Sequence, residues 1–135
     1  MRFTIETKGH YDFINLTEKI KELINCSKVK DGSVLIFVKG TTAAITIMEG
    51  EAGALEDFKE TLEKIAPEKE DYKHHLKGED SNGAAHIKSA LIKPEVLIPL
   101  EKGDLCLGVW QQIILIDFDE RPRQREIIVK IMKTY

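Results

Sequence analysis

Val34-Leu35-Ile36-Phe37-Val38 is the stretch of this sequence that most narrows the choice of fold. All five side chains are apolar, so a strand built from them is buried on both faces, as strands at the centre of a sheet are. Turn-forming residues precede it at Lys30-Asp31-Gly32, and Gly40 separates it from a second strand predicted over Ala43 to Met48. The segment therefore predicts a chain organised around the central strand of a sheet.

Two amphipathic helices are predicted, one before and one after these strands. Apolar residues recur at helical spacing in both, at Leu16, Ile20, Leu23 and Ile24 and again at Leu55, Phe58, Leu62 and Ile65. The first helix begins at Asn15 or Thr17, where Glu18 completes an Asn-x-x-Glu capping box, and a proline ends the second. A long polar loop follows over 68–83, and a third, short helix is predicted over 84–92.

The other predicted elements are strands, at 2–7, 11–15, 95–100, 105–109, 111–118 and 126–133. Strands and helices do not alternate along the chain. The predicted class is therefore α+β, with mixed or antiparallel sheets and two to three helices, and not a parallel doubly wound fold. Because the chain has 135 residues and no linker or low-complexity segment, residues 1–135 are predicted to form a single domain.

Composition and charge exclude several classes of protein. Hydrophobic residues make up 42% and charged residues 32% of the chain, which is typical of a folded globular domain and not of a disordered one. The net charge is −3, with no basic excess that would draw nucleic acid. No apolar run approaches the roughly 18 residues of a membrane span. We therefore expect neither nucleic acid nor a membrane as a partner.

Three further expectations concern the setting of the protein. The N-terminus lacks the apolar segment of a signal peptide, so a cytoplasmic location is expected. The abundance of Lys and Glu is typical of a thermophilic source. Cys26 and Cys106 are far apart and form no CxxC motif, so they are expected to be buried thiols.

Three of the four histidines, His74, His75 and His86, fall within thirteen positions and bracket Asp80 and Asn82. Two histidines with a carboxylate can hold a divalent cation, and histidine is also the usual acid or base near neutral pH. Asp80 and Asn82 are turn-forming residues that could also orient a ligand or a histidine. The spacing matches no zinc motif of the HExxH type. Two interpretations therefore stay open: a metal or catalytic site, or solvated loop histidines with His86 bonded to the backbone.

Glu49 and Trp110 are further candidates, each with a structural alternative. Glu49 could face the histidines and supply a carboxylate ligand or base, or it could be an ordinary solvent-facing acid near a turn. Trp110 is the only tryptophan of the chain, and a single tryptophan usually fills a core or an interface.

Basic residues offer two candidate phosphate sites. Lys88 and Ser89 lie near the start of the third predicted helix, whose free N–H groups can receive phosphate. Arg123 and Arg125 alternate with Arg121, so they could present one charged face to a phosphate or to a neighbouring subunit. A solvated hairpin tip is the alternative for the arginines.

In their order and separation, these segments resemble the YjbQ-like family of small proteins, which are also labelled secondary thiamine-phosphate synthases. The resemblance covers nearly the whole chain and rests on residues 38–46, 72–75, 80–91, 98–100, 107–113 and 117–119 with the arginines that follow. It implies a compact α+β fold that packs as a homotrimer, with polar residues clustered near subunit boundaries. It also implies a reaction in which a hydroxyethyl-thiazole phosphate is joined to an aminopyrimidine carried as a pyrophosphate, with release of pyrophosphate.

The resemblance assigns roles to individual residues. His74 matches the histidine of the family's Tyr-x-His segment, and His86 matches that of its Ala-His-Ile-Lys segment. Many members have a third histidine before the Thr-Thr-Ala-Ala stretch, where this chain has Gly40, and Glu49 would replace the missing ligand. Val109 stands where the family's Gly-Thr-Trp-Gln segment has threonine.

The residues and the resemblance together lead to two functional expectations. The protein is a metal-assisted enzyme acting on phosphate esters, or a non-enzymatic trimeric protein that binds a metal or another ligand. A divalent metal ion, zinc or magnesium, is expected on His74, His86 and Glu49. Catalytic roles are expected for His86, Asp80 and Glu49. Contacts with a small phosphorylated substrate are expected from Asn82, Lys88, Ser89, Trp110, Gln111, Arg123 and Arg125.

Overall fold

Eight strands, three α-helices and one short 3₁₀ turn make up the described part of the chain. The computed structural model describes residues 1–78 and 80–134, apart from the side chain of Lys77. In chain order the elements are β1 (Arg2–Thr7), β2 (Asp12–Asn15), α1 (Thr17–Ser27), β3 (Gly32–Val38), β4 (Ala43–Met48), α2 (Ala52–Ile65), α3 (Gly83–Ile92), β5 (Glu95–Glu101), β6 (Asp104–Leu105), β7 (Gln112–Asp117) and β8 (Arg123–Lys133). The 3₁₀ turn, Lys73–Lys77, lies between α2 and α3.

The strands form two antiparallel sheets. The larger has the strand order β1-β8-β3-β5-β6 and the smaller has the order β2-β7-β4. β3 pairs with β8 on one side and β5 on the other, so it is central, as its apolar sequence predicts. Its Val34, Ile36 and Val38 side chains are fully buried. The predicted α+β class is therefore confirmed, with antiparallel sheets and three helices.

Two apolar clusters hold the layers together. The larger cluster lies between the two sheets and includes Ile20 of α1 together with inward residues of β3, β7 and β8. The smaller lies on the other face of the three-stranded sheet, where Ile114 and Ile116 cluster with Leu62 of α2 and Ala85 of α3. α1 thus buries its predicted apolar stripe against a sheet, whereas of the stripe predicted for α2 only Leu62 is buried and Ile65 is 59% exposed. Within the described ranges, no helix is both long enough and apolar enough to cross a membrane.

The strand predicted over 105–109 is wrong. β6 is only Asp104–Leu105, and the chain turns after it. The reason is local, because the backbone N–H of Gly108 donates to Oε1 of Gln111 at 2.7 Å and the N–H of Gln111 donates back to the carbonyl of Gly108. This turn leaves Val109 and Trp110 largely exposed instead of placing them in a sheet.

Two smaller predictions also fail. The capping box of α1 is not formed, because Asn15 Oδ1 accepts the N–H of Thr17 at 3.0 Å while the Glu18 carboxylate lies 3.6 Å from the ammonium of Lys21. Cys26 and Cys106 are exposed and not buried. The first error has a local cause, since Asn15 and Glu18 contact residues two and three positions away. The exposure of the cysteines depends on the packing of the whole chain.

Candidate functional site

The candidate site lies where three segments meet: the 3₁₀ turn, the first turn of α3, and the chain just beyond β7. His75 joins the first two segments, because its Nε2 accepts the backbone N–H of Gly83 at 2.9 Å. Gly83 has no room for a side chain, since a Cβ there would lie 2.6 Å from the Cβ of Tyr72. The histidine-bearing turn is therefore held closely against the start of the helix.

His74 and His86 come together at this junction. Their ring centres are 4.5 Å apart and the ring planes are inclined by 61°. Burial lowers the pKa of the His86 imidazole, and the nearby His74 lowers it further. The carboxylates of Asp119 and Asp80 partly oppose this effect. The lowered pKa favours the neutral imidazole, the form that can accept a proton or bind an ion.

Asn82 connects His74 to a buried carboxylate. His74 Nε2 lies 3.1 Å from Asn82 Oδ1, and Asn82 Nδ2 donates to Asp119 Oδ1 at 3.2 Å. Asn82 and Asp119 are both buried, whereas His74 lies at the surface. The chain of contacts thus runs from the protein interior outward to the imidazole.

Asp119 is held as a carboxylate by several donors. Its Oδ2 accepts the hydroxyl of Thr42 at 2.8 Å and Nε of Arg123 at 2.9 Å, and its Oδ1 accepts the N–H of Glu120 at 2.8 Å in addition to Asn82. Burial alone would raise the pKa of Asp119. The hydrogen bonds outweigh burial and hold the pKa below the ordinary range of an aspartate.

A second buried ion pair lies beside the first. Arg125 Nε and Nη2 donate to the two carboxylate oxygens of Asp117 at 2.7 and 3.0 Å, and Nη2 also donates to Thr42 at 2.6 Å. The Thr7 hydroxyl donates to Asp117 at 2.5 Å. Bidentate pairing of this kind is the strongest form of a charge-assisted hydrogen bond. Because β7 and β8 belong to different sheets, the two ion pairs join the sheets under the site.

Two cavities flank Asn82. The cavity that contains both imidazoles has a volume of about 620 Å³ and is lined by Tyr72, Lys73, His74, Gly83, His86 and Ile87, with Asp71 at its edge. The other measures about 600 Å³, and its wall includes His75 and the acidic residues Glu68, Glu70, Asp71 and Glu120. Both volumes are in the range of small-molecule sites. The first cavity contains the two imidazoles, which are the side chains able to transfer a proton or bind a metal ion.

Several predicted residues do converge here. His74, His86, Asn82 and Arg123 belong to the hydrogen-bonded cluster or touch it, and Asp80 acts on His86 through its charge and lies 3.9 Å from the guanidinium of Arg121. Asn82 was expected to contact substrate. Its amide is instead engaged on both sides, by His74 and by Asp119.

Glu49, Trp110 and Gln111 lie at the opposite end of the molecule from the histidines of the same chain. Glu49 follows Met48, the last residue of β4, and β7 begins just after Gln111 at the same end. α3 instead contacts the other end of β4, where Ser89 donates to the carbonyl of Ala43. The two ends of this six-residue strand are about 16 Å apart. The expectation that Glu49 meets the histidines is therefore wrong within a single chain.

The structure does not bring Lys88 and Ser89 into the cavity that contains the histidines. Lys88 is 1% exposed and forms an ion pair with Glu63, and the buried hydroxyl of Ser89 donates to the carbonyl of Ala43 at 2.6 Å. The guanidinium of Arg125 is likewise paired with the carboxylate of Asp117. These polar groups stabilise internal packing and are not free to meet a ligand.

The residues at the base of the site, Asp119, Asp117 and Thr42, were not among those predicted from the sequence. A signal was present in Asp117-Phe118-Asp119, because acids two apart on a strand share one face, and Arg123 and Arg125 repeat that spacing in the opposite charge. Within residues 1–78 and 80–134, no three His, Cys, Asp or Glu side chains are grouped so as to hold a metal ion. Of the three ligands expected for a metal, only the two histidines meet.

Known proteins resemble this chain over its whole length. The family model described as UPF0047 protein YjbQ-like matches residues 1–134. A UPF0047 protein of Archaeoglobus fulgidus is 40% identical over 132 residues, covering 98% of this chain and 100% of the relative. A crystal structure of a YjbQ/UPF0047 protein from Clostridium acetobutylicum superposes with a TM-score of 0.88 at 34% identity, covering 98% and 99% of the two chains. A protein of unknown function from Sulfolobus solfataricus P2 gives a TM-score of 0.90 at 29% identity, with 99% and 97% covered. The chain therefore belongs to the YjbQ-like family, UPF0047.

Proposed function

We propose that this protein is a metal-assisted enzyme that acts on phosphate esters, with His74 and His86 at its reaction centre. The observation that carries the proposal is the pair of imidazoles in one cavity, one of them tied through Asn82 to the buried carboxylate of Asp119. Formation of thiamine phosphate, with release of pyrophosphate, is the specific instance that the family resemblance suggests.

The proposed metal ion has two protein ligands in one chain, His74 and His86. Imidazole nitrogen suits zinc better than magnesium, which prefers oxygen ligands, so zinc is the favoured ion. Water and a phosphate oxygen of the substrate would complete its coordination. A divalent cation bound there would neutralise the charge that develops on a departing phosphate group.

Cationic side chains near the histidines favour a phosphorylated substrate. Lys73 lines the same cavity, and Arg121 reaches Asp80 at the edge of the cluster. Arg123 is one-third exposed although its Nε is bonded to Asp119, so its guanidinium remains within reach of a ligand. These residues replace Lys88, Ser89 and Arg125 as the proposed phosphate contacts.

The proposal includes assembly as a homotrimer. The outward face of the five-stranded sheet carries an apolar patch, with Leu35 opposite Leu97 on β5 and Phe37 opposite Ile128 on β8, and Leu97 is 60% exposed. Charged residues, Lys130 and Glu95, lie beside this patch. An exposed apolar surface of this kind is typical of a protein–protein contact. A closed ring of three needs two different contact patches, and the loop of Trp110, which is 72% exposed, supplies the second.

Assembly would also change the role of the residues that lie far from the histidines. Glu49, Trp110 and Gln111 can reach a histidine cluster only if it belongs to a neighbouring copy. Their expected contributions as ligand and substrate contacts are therefore proposed across subunits. A mixture of His86→Gln and Glu49→Gln proteins, refolded together, should then regain part of the activity that each lacks alone.

A non-enzymatic trimer that binds a metal or ligand is the second candidate. The observation in its favour is that Asn82 is bonded to Asp119, and Arg125 to Asp117 and Thr42, which leaves few free polar groups for chemistry. In that case the same cluster would serve to hold a ligand or to stabilise a subunit boundary.

The experiment combines metal analysis with turnover. The purified protein and its His74→Gln, His86→Gln and His10→Gln variants are assayed for bound zinc and for turnover of a panel of phosphate esters, including the thiazole phosphate and pyrimidine pyrophosphate pair. Loss of a proton-transfer group or metal ligand should reduce kcat/KM about 10²–10⁴-fold in the first two variants. His10 lies outside the imidazole cavity, so its variant is the matched control.

Each outcome decides between the candidates. Bound metal without turnover in the wild type would favour the non-enzymatic trimer. Full metal content and full activity in His86→Gln would show that the site is wrongly assigned under both candidates.

A further inference from the structure

We infer that Asp119 is a positioning residue that acts through the amide of Asn82 to fix His74 in one tautomer, with the proton on Nε2 and the lone pair on Nδ1. The tautomer itself follows from hydrogen bonds within the chain. Its use, as the nitrogen that meets an ion or a substrate, rests on the function proposed above.

Asp119 accepts hydrogen bonds and has no proton to donate. Its two oxygens face the donors Thr42, Arg123, Asn82 and the Glu120 N–H. The hydroxyl of Thr42 itself accepts from Arg125, so its hydrogen points at Asp119. An ionised carboxylate can only accept, so the group that Asn82 turns toward it must be the NH₂.

The orientation of Asn82 then decides the protonation of His74. With its NH₂ toward Asp119, the amide presents Oδ1 to His74 Nε2 at 3.1 Å. An amide oxygen can only accept a hydrogen bond, so Nε2 must carry the hydrogen. In the neutral ring the lone pair is then on Nδ1, on an imidazole that lines the cavity shared with His86.

The neighbouring His75 provides an internal comparison. Its Nε2 lies 2.9 Å from the backbone N–H of Gly83, which can only donate. Neutral His75 therefore carries its proton on Nδ1. Two adjacent histidines of this chain are thus held in opposite tautomers by two different partners.

The use of an amide between Asp119 and the imidazole has a chemical consequence. A carboxylate in direct contact with the ring would orient it and also stabilise the protonated form. The neutral amide orients His74 without placing a full negative charge against it. The arrangement therefore selects which nitrogen of the neutral ring stays unprotonated.

The test is long-range ¹H–¹⁵N correlation NMR of the uniformly labelled, metal-free full chain at pH 8, where both ring nitrogens of each histidine are observed. We expect His74 protonated on Nε2 with a preference of roughly two- to twelve-fold, as one net hydrogen bond gives, and His75 protonated on Nδ1. In Asp119→Asn, the new amide can donate to Asn82, which then turns its NH₂ toward His74. The His74 preference should vanish or reverse, while His75 stays unchanged.

A second variant guards against misfolding of Asp119→Asn. Asn82→Ala leaves Asp119 with Thr42 and Arg123 but removes the amide, and it should leave His74 without a fixed tautomer. The inference is overturned if wild-type His74 is protonated on Nδ1, or if its tautomer is unchanged in the folded variants. An inactive protein with the expected tautomers would remove the proposed function alone, and an active protein with the other tautomer would remove this inference alone.

Discussion

Replacing Glu63 and replacing Lys88 should have unequal effects on stability, although the two side chains form one ion pair. The ammonium of Lys88, which is almost completely buried, contacts the carboxylate of Glu63 and lies 4.4 Å from the centre of the Tyr11 ring. The Glu63 side chain is 34% exposed and also accepts the Tyr11 hydroxyl at 2.7 Å. The buried member of the pair therefore depends on its partner more than the partly exposed member does.

Glu63→Gln keeps the shape of the side chain but removes the counter-charge, so the Lys88 ammonium is left buried among neutral groups. Breaking a buried pair costs about 3–5 kcal/mol, and water at the exposed side of residue 63 reduces this to about 2–4 kcal/mol. Lys88→Met removes the buried charge and keeps most of the volume, so its cost is about 0–1 kcal/mol. With an unfolding entropy of about 2.1 cal/mol/K per residue, a loss of about 3 kcal/mol lowers Tm by about 10 °C.

Urea unfolding at pH 7, with the midpoint and slope compared among variants, measures this difference. Lys64→Met removes an exposed lysine of the same helix as Glu63 and should change the free energy of unfolding by less than about 0.5 kcal/mol. If Lys88→Met proves as destabilising as Glu63→Gln, or if Glu63→Gln matches the control, then Lys88 is not a buried cation that depends on Glu63.

Three further predictions concern the site and the surface. Gly83→Ala should lower the free energy of unfolding by about 2–3 kcal/mol, because its Cβ would lie 2.6 Å from a side-chain carbon. Gly78→Ala has open space and should cost only about 1 kcal/mol, for its positive φ. Thermal unfolding compares the two variants. The pKa of Asp119 is lower in the folded protein than the 3.8 of a free aspartate. Its contribution to stability is therefore present above pH 3.8 and is lost as the pH falls through the folded pKa. Urea midpoints between pH 5 and 2 should fall more steeply for wild type than for Asp119→Asn. Leu97→Glu on the outward sheet face should reduce the mass measured by light scattering to that of a monomer, whereas Leu76→Glu, also exposed but outside the sheet, should not.

The central strand and the helices could be predicted because their signals are local. Residues 34–38 are apolar on both faces, and only a position between two other strands buries both faces of a strand. The periodicity of α1 and α2 is likewise a property of each segment alone. The strand predicted over 105–109 is wrong because alternating apolar residues are also the pattern of a half-buried strand. The turn between Gly108 and Gln111 is instead set by one side-chain hydrogen bond, which this pattern does not reveal.

The site was predictable only in part, for a related reason. The histidines lie close in sequence on either side of a turn, so their meeting required little knowledge of the fold. The position of Glu49 depended on which end of β4 faces α3, and that is a property of the topology. The burial of Lys88 did have a local signal, because Ala84, Ala85, Lys88 and Ser89 fall on one face of the helix and all four are buried.

The rigidity of the site differs between its base and its rim, and this difference determines how variants should be interpreted. Asp117 and Asp119 are fully buried and pair with Arg125 and Arg123 across the two sheets, so substitutions there disturb the fold along with the site. His74 lies at the surface, and within the described residues its hydrogen bond to the core runs through Asn82 alone. A change at Asn82 should therefore alter the imidazoles while leaving both ion pairs in place. For that reason, activity lost at Asn82 with stability retained is stronger evidence for a functional centre than any effect at the aspartates.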